Sequence, residues 1–195
     1  MSAIGRCWMA AAALALVGCS TTGVAVGAGA ATAVAASEER GLSGAVSDTA
    51  IEAQINALLL QRDFETFRKV GVKSYERRVL LTGQVQRPEM RLDAVRLAWQ
   101  VRGVKEVINE IEVTEAGGTE AYAHDVWIST QLRSKLLIDK EILSINYSVE
   151  TVGGTVYLMG FARSSEELAR VEAHARNLGY VRRVVSYVRV ANEDG

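Results

Sequence analysis

The chain repeats itself at a fixed offset of 77 residues. Asp48 recurs as Asp125, Ile51 as Ile128, Gln54 as Gln131 and Leu59-Leu60 as Leu136-Leu137. Further along, Val72 recurs as Val149, Val79 as Val156, Leu81 as Leu158 and Gly83 as Gly160. Glu89 then matches Glu166, Ala98 matches Ala175, and Val104, Val107 and Val113 match Val181, Val184 and Val190. No insertion breaks the register, so apolar positions, glycines and helix starts stay in step across a whole module, which chance does not achieve. The reading is two homologous modules, residues 47–115 and 125–191, joined by a linker at 116–124.

Each module reads as helix, strand, strand, helix, strand. Ile128, Leu132 and Leu136 recur at helical spacing, as do Ile51, Ile55 and Leu59. Ile145, Tyr147 and Val149 alternate with polar residues, as a half-buried strand does. Gly153-Gly154 suits a two-residue hairpin, because both glycines tolerate positive φ. Ser164 followed by Glu167 has the form of a capping box. Pro88, the only proline, sits where a helix should start. The fold class is therefore α+β, with two tandem αββαβ modules. Each is expected to be a small three-stranded mixed sheet with two helices packed on one face, which gives it a core.

The start of the chain has the layout of a secretory signal. Arg6 supplies a basic residue, Trp8 to Val17 are apolar, and the small residue Gly18 precedes Cys19. The apolar run is about half the roughly 20 residues that a membrane-spanning helix needs. Leu16-Val17-Gly18-Cys19 resembles the bacterial lipobox, which implies a signal peptide at 1–18 and acylation of Cys19, with palmitate among the acyl groups. Ser20 to Ala36 is Ala, Gly, Val and Thr without charge or period, so 19–46 reads as a lipidated flexible tether. Ser20 follows the cysteine where an inner-membrane retention signal has Asp. The expected place is the outer membrane, with the protein lipid-anchored and facing the periplasm.

The duplicated unit resembles the BON domain. Gly83 and Gly160, each read as a structural turn ending the second strand after Val-x-Leu, are the most recognisable mark. The second module, from Asp125-Val126-Trp127-Ile128 through Leu136-Leu137 to Val156-Tyr157-Leu158-Met159-Gly160, is similar to dual-BON outer-membrane lipoproteins of Gram-negative bacteria. The resemblance implies a non-enzymatic protein that supports envelope integrity and binds anionic phospholipid through the first helix of its second module.

Catalysis has little to work with. The two histidines, His124 and His174, have no neighbour at metal-ligand spacing and read as surface residues. Gly153-Gly154 is too short to cradle phosphate, and no serine lies in a Gly-x-Ser-x-Gly setting. Cys7 leaves with the signal and Cys19 is blocked by lipid, so the folded part has no thiol nucleophile. No catalytic residue, metal ligand or cofactor is expected beyond the covalent lipid. With 22 Lys and Arg against 23 Asp and Glu, no gross field points to nucleic acid.

The first helix of module two is the informative place. With Ile128, Leu132 and Leu136 inward, Trp127, Thr130, Ser134 and Leu137 fall on the far side at about 100° per residue, and Arg133 and Lys135 lie at its flanks. An indole suits the boundary between headgroups and acyl chains, and each nearby cation is worth roughly 1 kcal/mol against an anionic surface. Module one has Ala50 for Trp127, Asn56 for Arg133, Leu58 for Lys135 and Glu52 for Ser129. On residues alone, Trp127 serves lipid contact or packing against module one equally well; the resemblance favours lipid, with Trp127, Thr130, Arg133, Ser134 and Leu137 as contacts. Trp99 is expected in the core or the seam between modules. The alternative function is a periplasmic adaptor, gripping an envelope protein of outer-membrane assembly or cell-wall remodelling through exposed strand edges.

Overall fold

The computed structural model describes residues 41–114 and 119–191. The expected signal, Cys19 and the tether up to residue 40 lie outside the described residues. Module one comprises α1 (Gly41–Arg62), α2 (Phe64–Lys69), β1 (Val70–Tyr75), β2 (Arg78–Val85), α3 (Pro88–Gln100) and β3 (Glu106–Val113). Module two comprises α4 (Thr119–Ile138), a 3-10 turn (Ser144–Asn146), β4 (Tyr147–Val152), β5 (Thr155–Ala162), α5 (Ser165–Arg176) and β6 (Arg183–Val190). Helix α4 starts at Thr119, so part of the 116–124 stretch read as linker is helical, and α1 likewise reaches back to Gly41. The short α2 was not read from sequence. Asp63 caps it, accepting from the Thr66 hydroxyl at 2.6 Å and from the Thr66 and Glu65 amides, and these bonds, the hydroxyl's above all, hold the Asp63 carboxyl below the usual range.

Both sheets have the same topology. The middle strand pairs antiparallel with the first and parallel with the third, in order β1-β2-β3 and β4-β5-β6. Strand alternation sends Val79 and Leu81 of β2 to the helices, where they meet Ile51, Ile55 and Leu59 of α1 and Ala94 and Ala98 of α3. In module two, Val156 and Leu158 meet Ile128, Leu132 and Leu136 of α4 and Val171 and Ala175 of α5. The intervening residues face the other way, and there the two sheets meet. Tyr75 and Leu80 pack on Tyr157 and Met159, with Ile108, Val185 and Tyr187 alongside. The layers therefore run helices, sheet, sheet, helices, and the helix layers lie on opposite sides, about 30 Å apart at roughly 10 Å per layer.

Polar contacts close the rim of this seam. Arg78 donates to the Tyr187 carbonyl at 3.1 Å, Arg189 pairs with Glu76 at 2.8 Å, and Lys73 faces Glu150 at 3.7 Å. The Tyr187 hydroxyl donates to Glu110, and burial with that carboxylate raises its pKa.

The hairpin turns show what the repeated aspartates do. Gly153 and Gly154 have φ of 56° and 76°, as a two-residue hairpin requires. Their amides donate to the two oxygens of Asp125, each at 2.8 Å. In module one the turn residues are Glu76 and Arg77, at φ of 52° and 66°, which L side chains adopt only with strain. Asp48 takes both amides at 2.8 Å and also the Ser74 hydroxyl. One carboxylate on the first helix thus fixes the turn of each sheet.

Gly83 and Gly160 are not turn residues. They lie within β2 and β5, paired with Val70 and Tyr147. A Cβ on Gly83 would sit 2.0 Å from the Lys69 carbonyl oxygen, and one on Gly160 would sit 1.9 Å from that of Asn146. Their φ values of 135° and 145° also exclude most side chains. The glycines let the segment entering the first strand cross directly over the second.

The helix starts follow the sequence signals. Pro88 opens α3, and the Ser164 hydroxyl accepts from the Glu167 amide at 3.2 Å. The returning half of the capping box is displaced. Glu167 accepts from the Arg163 amide at 2.9 Å and from the Leu143 amide at 2.7 Å instead. Burial opposes its charge, but these bonds and the Arg163 guanidinium hold its pKa below the usual value.

Candidate functional site

Helix α4 buries Ile128, Leu132 and Leu136 and turns Trp127, Thr130, Ser134 and Leu137 outward. Trp127 is 42% exposed and Leu137 75% exposed. Because α4 covers the far side of the second sheet, this face points away from module one. The indole is not in the seam, which Tyr75, Leu80, Tyr157 and Met159 build without it.

Trp127 rests instead on its own module. Tyr180, in the loop between α5 and β6, meets it edge to face at 5.8 Å and 89°. His124, one turn earlier on α4, stacks on the same ring at 4.0 Å and 11°. Tyr180 is 61% exposed, so the three rings form a braced aromatic cluster open to solvent. Braced rings lose little rotamer freedom when a surface covers them.

The cations are arranged unevenly. Arg133 donates to the Val149 carbonyl and reaches Glu150 at 3.5 Å, so its guanidinium leans onto β4 rather than standing free. Lys135 and Lys140 are exposed toward the C-terminal end of α4, and Arg182 is exposed beside Tyr180 in sequence. Ser134 donates to the Thr130 carbonyl at 2.9 Å, which lowers the polarity of the strip between Trp127 and Leu137. Of the expected contacts, Trp127, Thr130, Ser134 and Leu137 share one open face, and Arg133 sits at its margin.

Sequence reasoning missed Tyr180 and His124. The offset of 77 could have found them, since their twins are Gly103 and Ser47. Gly103 has φ of 101°, where glycine is at ease, whereas Tyr180 holds φ of 68° with a full side chain. Module two accepts backbone strain to place an aromatic where module one has none. The twin of Trp127, Ala50, is also exposed, so the shared fold asks for no bulky group there. Glu52, the twin of Ser129, is not a surface charge of the same kind; it accepts from the Ser74 amide at 2.7 Å.

Trp99 corrects the sequence expectation. It is 54% exposed on the outer face of α3 and fills neither core nor seam. His174 is more than a surface residue, because its Nε2 meets Asp139 at 2.7 Å. That bond, with the Glu141 amide, lowers the Asp139 pKa. Among the described residues no group of three His, Cys, Asp or Glu side chains is placed to hold a metal ion, and no helix is long and apolar enough to cross a membrane.

The two modules are those of a known family: the BON domain model matches residues 47–115 and 124–192. The chain belongs to the BON-domain family. It is 44% identical over 146 residues to an uncharacterized protein of the gshII 5′ region of Anaplasma centrale, covering 74% of this chain and 95% of that one. It is 30% identical over 161 residues to the outer membrane lipoprotein DolP of Haemophilus influenzae, covering 82% and 83%. The osmotically-inducible protein Y of Escherichia coli is 31% identical over 141 residues, covering 71% and 70%.

Proposed function

We propose that this BON-domain protein is a non-enzymatic envelope lipoprotein. It is held to the outer membrane by acyl chains on Cys19 and applies the outer face of α4 to anionic phospholipid, thereby supporting envelope integrity. The observation that carries the reading is the braced Trp127–Tyr180–His124 cluster, exposed on the side of module two away from module one. Kinship with an outer membrane lipoprotein supports the location. The lipobox-like Leu16-Val17-Gly18-Cys19 supports the anchor. Acyl chains contribute about 0.8 kcal/mol per buried CH₂, and the tether raises the local concentration of module two at the same surface, so a weak second contact is enough.

Phosphate headgroups are within the chemistry of Lys135, Lys140 and Arg182, and Trp127 and Leu137 supply the apolar insertion. The test uses the unlipidated Cys19→Ala protein, so the anchor cannot contribute. Sedimentation with phosphatidylglycerol vesicles is expected, and little with phosphatidylcholine vesicles. Trp127→Glu should remove the binding. Equal binding to both vesicles, or full binding by Trp127→Glu, would refute the proposal.

A further inference from the structure

The second exposed tryptophan lies on the opposite side of the molecule. On α3, Met90, Ala94 and Ala98 face the core, and Leu92 and Trp99, seven residues apart, point outward at 57% and 54% exposure. Their twins in α5 are Ala169 and Arg176, so the shared fold does not require them. Arg96 stands between them on the same face, and Arg91 borders it. Two acidic residues border this strip, Glu89 and Asp93, and Asp93 is already occupied: Arg62 reaches it at 3.0 Å and Arg96 at 3.3 Å. Arg96, three residues before Trp99 on the same helix, keeps donor groups to spare, since each Arg carries five N–H donors.

We infer that the α3 face of module one is a docking surface for an acidic segment of another protein, with apolar side chains set between carboxylates. Three observations select this occupant. Around Leu92 and Trp99, Arg62, Arg91 and Arg96 outnumber Glu89 and Asp93, and this net positive rim matches carboxylates, which guanidiniums can pair bidentately. A second copy of the chain would bring like charges together. The apolar patch, about 200 Å², is also far short of the roughly 800 Å² per partner of a stable interface. Finally, the layer order points α3 away from α4. If α4 lies on the bilayer, as proposed above, α3 faces the aqueous compartment, where proteins and not the same membrane are in reach. Trp and Arg at the centre of a small patch are the usual composition of an interaction hot spot.

The test uses the full lipidated chain in phosphatidylcholine nanodiscs, so it does not depend on anionic-lipid binding. The probe is a labelled amphipathic helical peptide with a Leu/Phe face flanked by glutamates, read by fluorescence anisotropy. Saturable binding is expected, at least tenfold weaker for the same peptide with glutamines. Leu92→Ser with Trp99→Ser should abolish it, and so should the charge reversal Arg91→Glu with Arg96→Glu. All four positions lie outside the buried core, and far-UV circular dichroism checks that the variants fold. Sedimentation with anionic vesicles should be unchanged in both variants. Three outcomes would each overturn the inference: no difference between the two peptides or no binding of either, loss of vesicle binding in the Leu92/Trp99 variant, or a concentration-dependent dimer that this variant dissolves.

Discussion

Replacing Tyr180 by glycine separates the ring from the backbone that carries it. At φ of 68° the tyrosine is strained by about 1–2 kcal/mol, which glycine relieves. Against that, two aromatic contacts are lost, each about 0.5–1.5 kcal/mol and nearer the low end because the ring is 61% exposed. The added flexibility of glycine in the unfolded chain costs roughly 0.5–1 kcal/mol more. The sum leaves Tyr180→Gly within about 1 kcal/mol of the parent protein in urea denaturation, given that m is unchanged. Tyr180→Ala loses the same ring but keeps the strain, so it should be about 1 kcal/mol less stable than the glycine variant. Vesicle binding should order the three proteins differently. The ring offers on the order of 100 Å² to a membrane, worth about 2 kcal/mol at 25 cal/mol per Å², and both variants should bind phosphatidylglycerol vesicles at least tenfold more weakly. A loss of stability above about 2 kcal/mol in Tyr180→Gly would show that the ring is a structural clamp, and unchanged vesicle binding would remove it from the site.

Three further outcomes follow from the shared architecture. Gly160→Ala places a Cβ 1.9 Å from the Asn146 carbonyl at φ of 145°, and should cost more than 3 kcal/mol in urea denaturation; Gly71→Ala, whose Cβ meets only the Thr82 hydroxyl at 2.8 Å, is the milder control. Asp48→Ala should destabilise more than Asp125→Ala, because Asp48 holds the non-glycine turn Glu76-Arg77 at positive φ and also binds Ser74; comparing urea midpoints of the two variants checks this. Glu167 has a lowered folded pKa, so its contribution is present above its unfolded value of about 4.3 and fades as pH falls through the lower folded value. The difference in urea midpoint between the parent and Glu167→Gln should therefore be largest near pH 7 and shrink below about pH 4; a difference that grows on acidification would contradict the assignment.

Much of the fold was legible because its signals are local and occur twice. The 77-residue offset marked the modules, the apolar spacing in α1 and α4 marked the inward faces, and Pro88, Ser164 and Gly153-Gly154 marked boundaries that the structure realises. What was misread depends on contacts distant in sequence. Gly83 and Gly160 looked like strand ends because the pattern Val-x-Leu-x-Gly gives no hint that the Lys69 and Asn146 carbonyls press against them. Trp99 is expected in the core or the seam, but Met90, Ala94 and Ala98 already fill the inward stripe of α3. Tyr180 was invisible because its partners lie more than fifty residues earlier and only the closing of β6 onto β5 brings them together.

The seam gives the comparison of twins its functional meaning. After duplication both modules kept the residues that build the sheet and its helix cover, and those positions match almost one for one. Two of the departures fall on outward faces, and on different helices. Module two has Trp127 where module one has Ala50, and module one has Trp99 where module two has Arg176. Had the modules been strung out independently, two such faces would have no fixed relation. Packed through Tyr75, Leu80, Tyr157 and Met159, and tied at the rim by Arg78 and Arg189, they are held on opposite sides of one body. A contact made by one face would therefore leave the residues of the other uncovered.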